Sequence, residues 1–142
     1  MKKIVLIILL GLINFSCLPD IITINKAEEQ TVFPGVKGTP ILEKFTVKFT
    51  LSKPVQLEAI QFKNKNMSFK IDKFLLKNYD TGHNYLLHKT LDPGNYIFET
   101  TTQKKDGLAT DKNVLIFKIK TSQNKTYDYK VKLLKGESIY MY

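Results

Sequence analysis

Apolar and polar residues alternate with a period of two along most of this chain. The clearest case is Phe45, Val47, Phe49 and Leu51, interleaved with Thr46, Lys48, Thr50 and Ser52. That alternation predicts a strand with one face buried and the other wet. Val55, Leu57 and Ala59 keep one phase, and Ile60 and Phe62 take the other. A one-residue slip inside an apolar pattern predicts a β-bulge near Ala59. Further strands are predicted at 31–33, at 67–71 with Phe69 and Ile71 inward, at 84–88, from Tyr96 onward, at 115–119, at 127–133, and in a last short segment ending at Tyr142. Ile21, Ile22, Thr23 and Ile24 suggest a short edge strand. Phe74, Leu75 and Leu76 fit either a helical turn or a bulged strand.

Turn residues punctuate this pattern: Pro34-Gly35, residues 38–40, Ser52-Lys53-Pro54, residues 63–66, Asp80-Thr81-Gly82 and a long polar hairpin loop over 103–112. Two registers can be argued. A three-residue loop at 122–124, with Asn124 left-handed, sets Phe117 opposite Tyr129, Ile119 opposite Tyr127 and Lys118 opposite Asp128. The same reasoning at Leu134, Lys135 and Gly136, with Gly136 left-handed, places Ile139 and Met141 inside and Tyr140 and Tyr142 outside. About eight short strands without a long helix predict an all-β fold, an antiparallel immunoglobulin-like β-sandwich, with an up-and-down barrel as the alternative.

One stretch breaks the period. Residues 4–13 are an unbroken apolar run behind Lys2 and Lys3, the make-up of a secretory signal peptide. As a helix it would rise about 15 Å, half a bilayer core, too short to span. Asn14, Phe15 and Ser16 follow, and then Cys17, the only cysteine, so no intramolecular disulfide can form. This resembles the lipobox of bacterial lipoproteins. The resemblance implies removal of 1–16 with Ser16 the last residue lost, and a diacylglycerol and an N-acyl chain on Cys17 as the only added groups. It also implies export and a lipid anchor, with the outer membrane favoured because Leu18 stands where some bacteria use Asp for inner-membrane retention. Residues 17–30 then read as a lipidated tether and 31–142 as the sandwich domain.

Leu91 to Phe98, LDPGNYIF, resembles the L-x-P-G-x-Y-x-F lead-in to strand F of immunoglobulin-like and fibronectin-like sandwiches, which implies a tyrosine corner at Tyr96. It carries architecture and no activity.

The net charge of +9 falls to +7 when Lys2 and Lys3 leave with the leader. Partners of opposite charge follow: anionic lipid, acidic polysaccharide or an acidic envelope protein. With no Arg for bidentate base contacts, nucleic acid is disfavoured. Catalytic patterns are missing: no HExxH, no G-x-S-x-G and no phosphate loop at Gly35 to Gly38. His83 and His88, five apart on a strand, point to opposite faces and cannot share a metal. The acidic residues sit mostly beside Lys and read as surface ion pairs. The remaining candidate is a partner face on the last three strands, Ile116, Lys118, Lys130, Lys132, Tyr140 and Tyr142, where Tyr plates and mobile ammonium groups suit acidic ligands or sugars. The function expected is therefore a lipid-anchored, non-catalytic binding or accessory module. The alternatives are an envelope hydrolase or sugar-processing domain with paired carboxylates, and a small outer-membrane β-barrel.

Overall fold

The computed structural model describes residues 20–108 and 112–142; the leader, Ser16 and Cys17 lie outside them. Eleven strands run in the order β1 (Ile22–Phe33), β2 (Leu42–Leu51), β3 (Val55–Lys63), β4 (Ser68–Lys70), β5 (Leu75–Asn78), β6 (Thr90–Leu91), β7 (Gly94–Gln103), β8 (Val114–Thr121), β9 (Thr126–Lys132), β10 (Leu134–Lys135) and β11 (Ile139–Tyr140). One sheet has the order β10-β1-β2-β7-β5 with β11 also on β1; the other is β4-β3-β8-β9 with β6 on β3. With β1, β2, β7 and β5 as A, B, E and D, and β4, β3, β8 and β9 as C′, C, F and G, this is the immunoglobulin-type sandwich. Two separate sheets around a shared core set the barrel alternative aside. Among the described residues no helix is long and apolar enough to cross a membrane.

The core is built by the alternation. Phe45, Val47, Phe49 and Leu51 of β2 and Tyr96 and Phe98 of β7 face Leu57, Ile60 and Phe62 of β3 and Leu115, Phe117 and Ile119 of β8, all buried. Aromatic rings join the layers, Phe45 on Phe62 at 5.3 Å and Phe98 edge-on to Phe117 at 5.4 Å. Pairs at such offset or edge geometry add to simple area burial. The β3 register shifts between Leu57 and Ala59, so Leu57 and Ile60, three apart, both point inward.

The β8–β9 hairpin pairs Phe117 with Tyr129, Lys118 with Asp128 and Ile119 with Tyr127, and Asn124 has φ 59°, as the sequence predicts. The tyrosine corner also forms: the Tyr96 hydroxyl donates to the Asp92 carbonyl at 2.7 Å. Its place differs from expectation. The segment leads into β7, which pairs with β2 and β5 and so occupies position E rather than F.

Four further expectations are corrected. Residues 22–30 belong to β1, so most of the expected tether is strand: Ala27 and Glu29 pair with Val47 and Phe45. β7 and β8, on either side of the expected 103–112 hairpin loop, lie in different sheets and do not pair as a hairpin. The expected strand over 84–88 reduces to one bridge, Lys77 with Asn84, because Gly82 and His88 at φ 75° and 65° break extension. The segment left open between a helical turn and a strand needs no correction: Leu75–Asn78 is strand β5, with Leu76 buried.

The fourth correction is the C-terminus. Gly136 is absent from the positive-φ residues, and no hairpin forms there. Leu133 is buried, and its amide donates to the Asn113 carbonyl. From there the chain crosses to the first sheet, where β10 and β11 lie parallel to β1, with Glu28 opposite Leu134 and Val32 opposite Ile139. Ile139 therefore sits beside Val32 on the outer face, half-buried, and Met141 is 58% exposed rather than inside.

Candidate functional site

The predicted partner face divides between the sheets. Ile116 pairs with Lys130, Lys118 with Asp128, and Val114 with Lys132. Their inward neighbours Leu115, Phe117 and Val131 are buried, so Ile116, Lys118, Lys130 and Lys132 share the outer face of β8 and β9. Asp128 stands in the middle of that face and offsets part of its charge. Tyr140 and Tyr142 are not on it, because the tail has joined the opposite sheet. The Tyr140 ring stacks on Phe33 at 5.0 Å and 10°.

A cleft opens at the end of the sandwich, beside the start of β2 and Leu108. It has a volume of about 180 Å³ and is lined by Glu29, Glu43, Thr31, Lys104, Lys135 and Ser138 among others. Glu43 is in phase with Phe45, and Glu29 pairs with Phe45 while Thr31 pairs with Glu43. Both carboxylates are thus on the inner face of the first sheet, as diagonal neighbours. They are 7% and 8% exposed, where the sequence suggests solvated ion pairs.

Each carboxylate has side-chain partners. Glu29 accepts from Asn113 Nδ2 at 2.6 Å. Glu43 accepts from Thr31 Oγ1 at 2.9 Å and lies 3.8 Å from Lys104 Nζ. Asn113 also donates to the Leu108 carbonyl at 2.8 Å and accepts from Asn64 Nδ2 at 3.0 Å. The cluster therefore ties Leu108 and Asn113 to β1 and to the β3–β4 turn. Chemically it sets two carboxylates among amide, hydroxyl and ammonium donors of the chain itself, an arrangement that holds the end of the sandwich together. The signal that could have revealed it is the phase of Glu43, one step before Phe45 on the apolar face.

A shallower groove of about 590 Å³ runs over the outer face of the first sheet. Ile139 and Met141 form one wall, Phe74 and Leu75 the other, with Val32 and Leu42 between them. The Lys44–Glu99 ion pair, at 3.1 Å, contributes to its lining.

The histidines are apart in role. His83 lies in the turn after Gly82, whereas His88 Nδ1 is 2.8 Å from Glu58 Oε2, on the residue that the β3 bulge displaces. Among the described residues no three His, Cys, Asp or Glu side chains group as metal ligands. Burial raises the pKa of the Tyr96 and Tyr129 phenols above the usual tyrosine value.

No protein family matches this chain, and no curated protein resembles it significantly.

Proposed function

We propose that the chain is an exported lipoprotein, anchored through a diacylglycerol and an N-acyl chain on Cys17, whose sandwich serves as a non-catalytic binding or accessory module at the outer membrane. The observation that carries this reading is the placement of the only cysteine directly behind the apolar run of residues 4–13. Two or more acyl chains on one residue are enough for stable anchoring. An immunoglobulin-type sandwich supplies sheet faces and end loops for a partner. The mature charge of +7 favours an acidic envelope protein, acidic polysaccharide or anionic lipid over a cationic ligand.

Globomycin treatment of cells making the full chain tests the anchor. The precursor should accumulate, and mass spectrometry of the processed protein should find an acylated Cys17 at its N-terminus. Unchanged processing, or a free thiol there, overturns the reading. Crosslinking in the intact envelope then identifies the partner.

The second reading is hydrolytic, and the paired Glu29 and Glu43 in one cleft favour it. Two carboxylates flanking a bond are the usual apparatus of glycoside hydrolysis. Against it stands their engagement with Asn113, Thr31 and Lys104, which leaves the cleft self-satisfied. Turnover of envelope polysaccharide by the protein that disappears in Glu43→Gln would promote this reading.

A further inference from the structure

We infer that the end of the sandwich formed by the β2–β3 and β8–β9 turns lies against the bilayer and contacts anionic lipid headgroups. This inference rests on the Cys17 anchor proposed above and deepens it. Its basis is the early start of the fold. The Ser52 amide donates to the Ile21 carbonyl at 3.0 Å, and the Ser52 hydroxyl donates to the Asp20 carbonyl at 3.1 Å. The chain is therefore fastened to the β2–β3 turn from Asp20 onward. Only three peptide units separate Asp20 from Cys17, a span of about 11 Å at full extension. A headgroup layer is about 5–7 Å deep on each side, and the Debye length is about 8 Å at physiological salt. The domain therefore has no slack to swing away from the surface, unlike one on a tether of fourteen residues.

The groups at that end fit a negatively charged surface. Lys53 is exposed in the β2–β3 turn beside Ser52. Lys125 is exposed in the β8–β9 turn, where its carbonyl accepts from the Thr121 amide at 2.8 Å, and Lys120 stands opposite Thr126 at the same end. The two turns adjoin: Ile21, Lys53, Pro54, Ser122 and Tyr127 line one shallow hollow between them. Asp20, Asp80 and Asp92 are acidic side chains at this end, and all three are exposed. Lysines on mobile stems can extend toward phosphate oxygens while the aspartates turn outward at the rim. The opposite end, with Lys37 and Lys65 in its loops and the Glu29–Glu43 cleft, then faces away from the membrane.

The test uses the full, lipidated protein reconstituted into vesicles of phosphatidylcholine alone or with phosphatidylglycerol. A membrane-impermeant amine reagent is applied, and labelling is mapped lysine by lysine. In anionic vesicles Lys53, Lys120 and Lys125 should label about fivefold more slowly than in neutral ones, with Lys37 and Lys65 unchanged. The protection should vanish at high salt, and that of the remaining Lys120 should vanish in Lys53→Glu/Lys125→Glu, which stays membrane-bound through its acyl chains. Equal labelling at both ends with acylated Cys17 overturns the inference and leaves the anchor standing. Equal protection in neutral and anionic vesicles overturns the headgroup contact. An unmodified Cys17 removes both.

Discussion

Asn113 Nδ2 lies 2.6 Å from the Glu29 carboxylate, joining residues 84 positions apart in sequence at a site sheltered from water. Hydrogen bonds to charged groups are worth more than neutral ones, and this one is sheltered from water. Asn113→Ala should therefore lower stability by about 2–3 kcal/mol in urea unfolding. Asn113→Asp brings two carboxylates together, so the pair should hold a proton to higher pH than either would alone. Its folded-state pKa is then raised, and the variant's stability should fall as pH rises from 4 to 7, measured by the unfolding midpoint. A pH-independent deficit would contradict this.

Tyr96 supplies the pH response of the parent protein. Burial raises its pKa, as it does that of Tyr129. The folded state therefore keeps phenolic protons at a pH where the unfolded chain has begun to release them. That stabilisation is complete below about pH 10 and is lost as pH climbs through the folded-state values. Thermal melts should show a decline above pH 10, and Tyr96→Phe should make it shallower. At neutral pH the same substitution removes the bond to the Asp92 carbonyl and should cost about 1 kcal/mol.

Gly35 governs the tail. A Cβ at this position would fall on the Met141 carbonyl oxygen, an atom of the backbone that cannot turn aside as a side chain does. Gly35→Ala should release β11. Amide exchange at Met141, which donates to the Phe33 carbonyl at 3.0 Å, should then quicken more than at any β2 residue. Release also bares the β1 edge, so the variant should self-associate with rising concentration in sedimentation.

Asn124 offers a local control. At φ 59° a residue with a branched Cβ is strained, whereas Gly is not. Asn124→Gly should be nearly neutral, and Asn124→Val should cost about 1–2 kcal/mol in the same urea assay.

What the sequence discloses tracks how local each decision is. The Phe117–Tyr129 register follows from one short loop and a facing pair of aromatics, and the β3 bulge from a slip in the apolar phase. The middle of β1 was hidden for the opposite reason. Glu29 and Thr31 take inward positions, so the strand lacks the alternation that marks the others and reads as polar tether. The Glu29 carboxylate accepts a hydrogen bond from Asn113, a residue brought from far along the chain. The tail misled through Gly136, which suggests a turn. Its true partner is β1, and parallel pairing between distant segments leaves no turn signature. The six residues named as a partner face are divided for the same reason: Tyr140 and Tyr142 depended on that hairpin, whereas Ile116, Lys118, Lys130 and Lys132 share the outer face of β8 and β9.

The union of β1 with β10 and β11 brings the first and last strands of the domain side by side. Contacts of such long sequence separation slow folding, and here they also set an order of events. Until the residues of β10 and β11 are in place, that edge of β1 has nothing to rest on, so a partly made chain lacks its closing seam. A polypeptide of this design stays open along one edge during folding and locks only once β10 and β11 have reached β1.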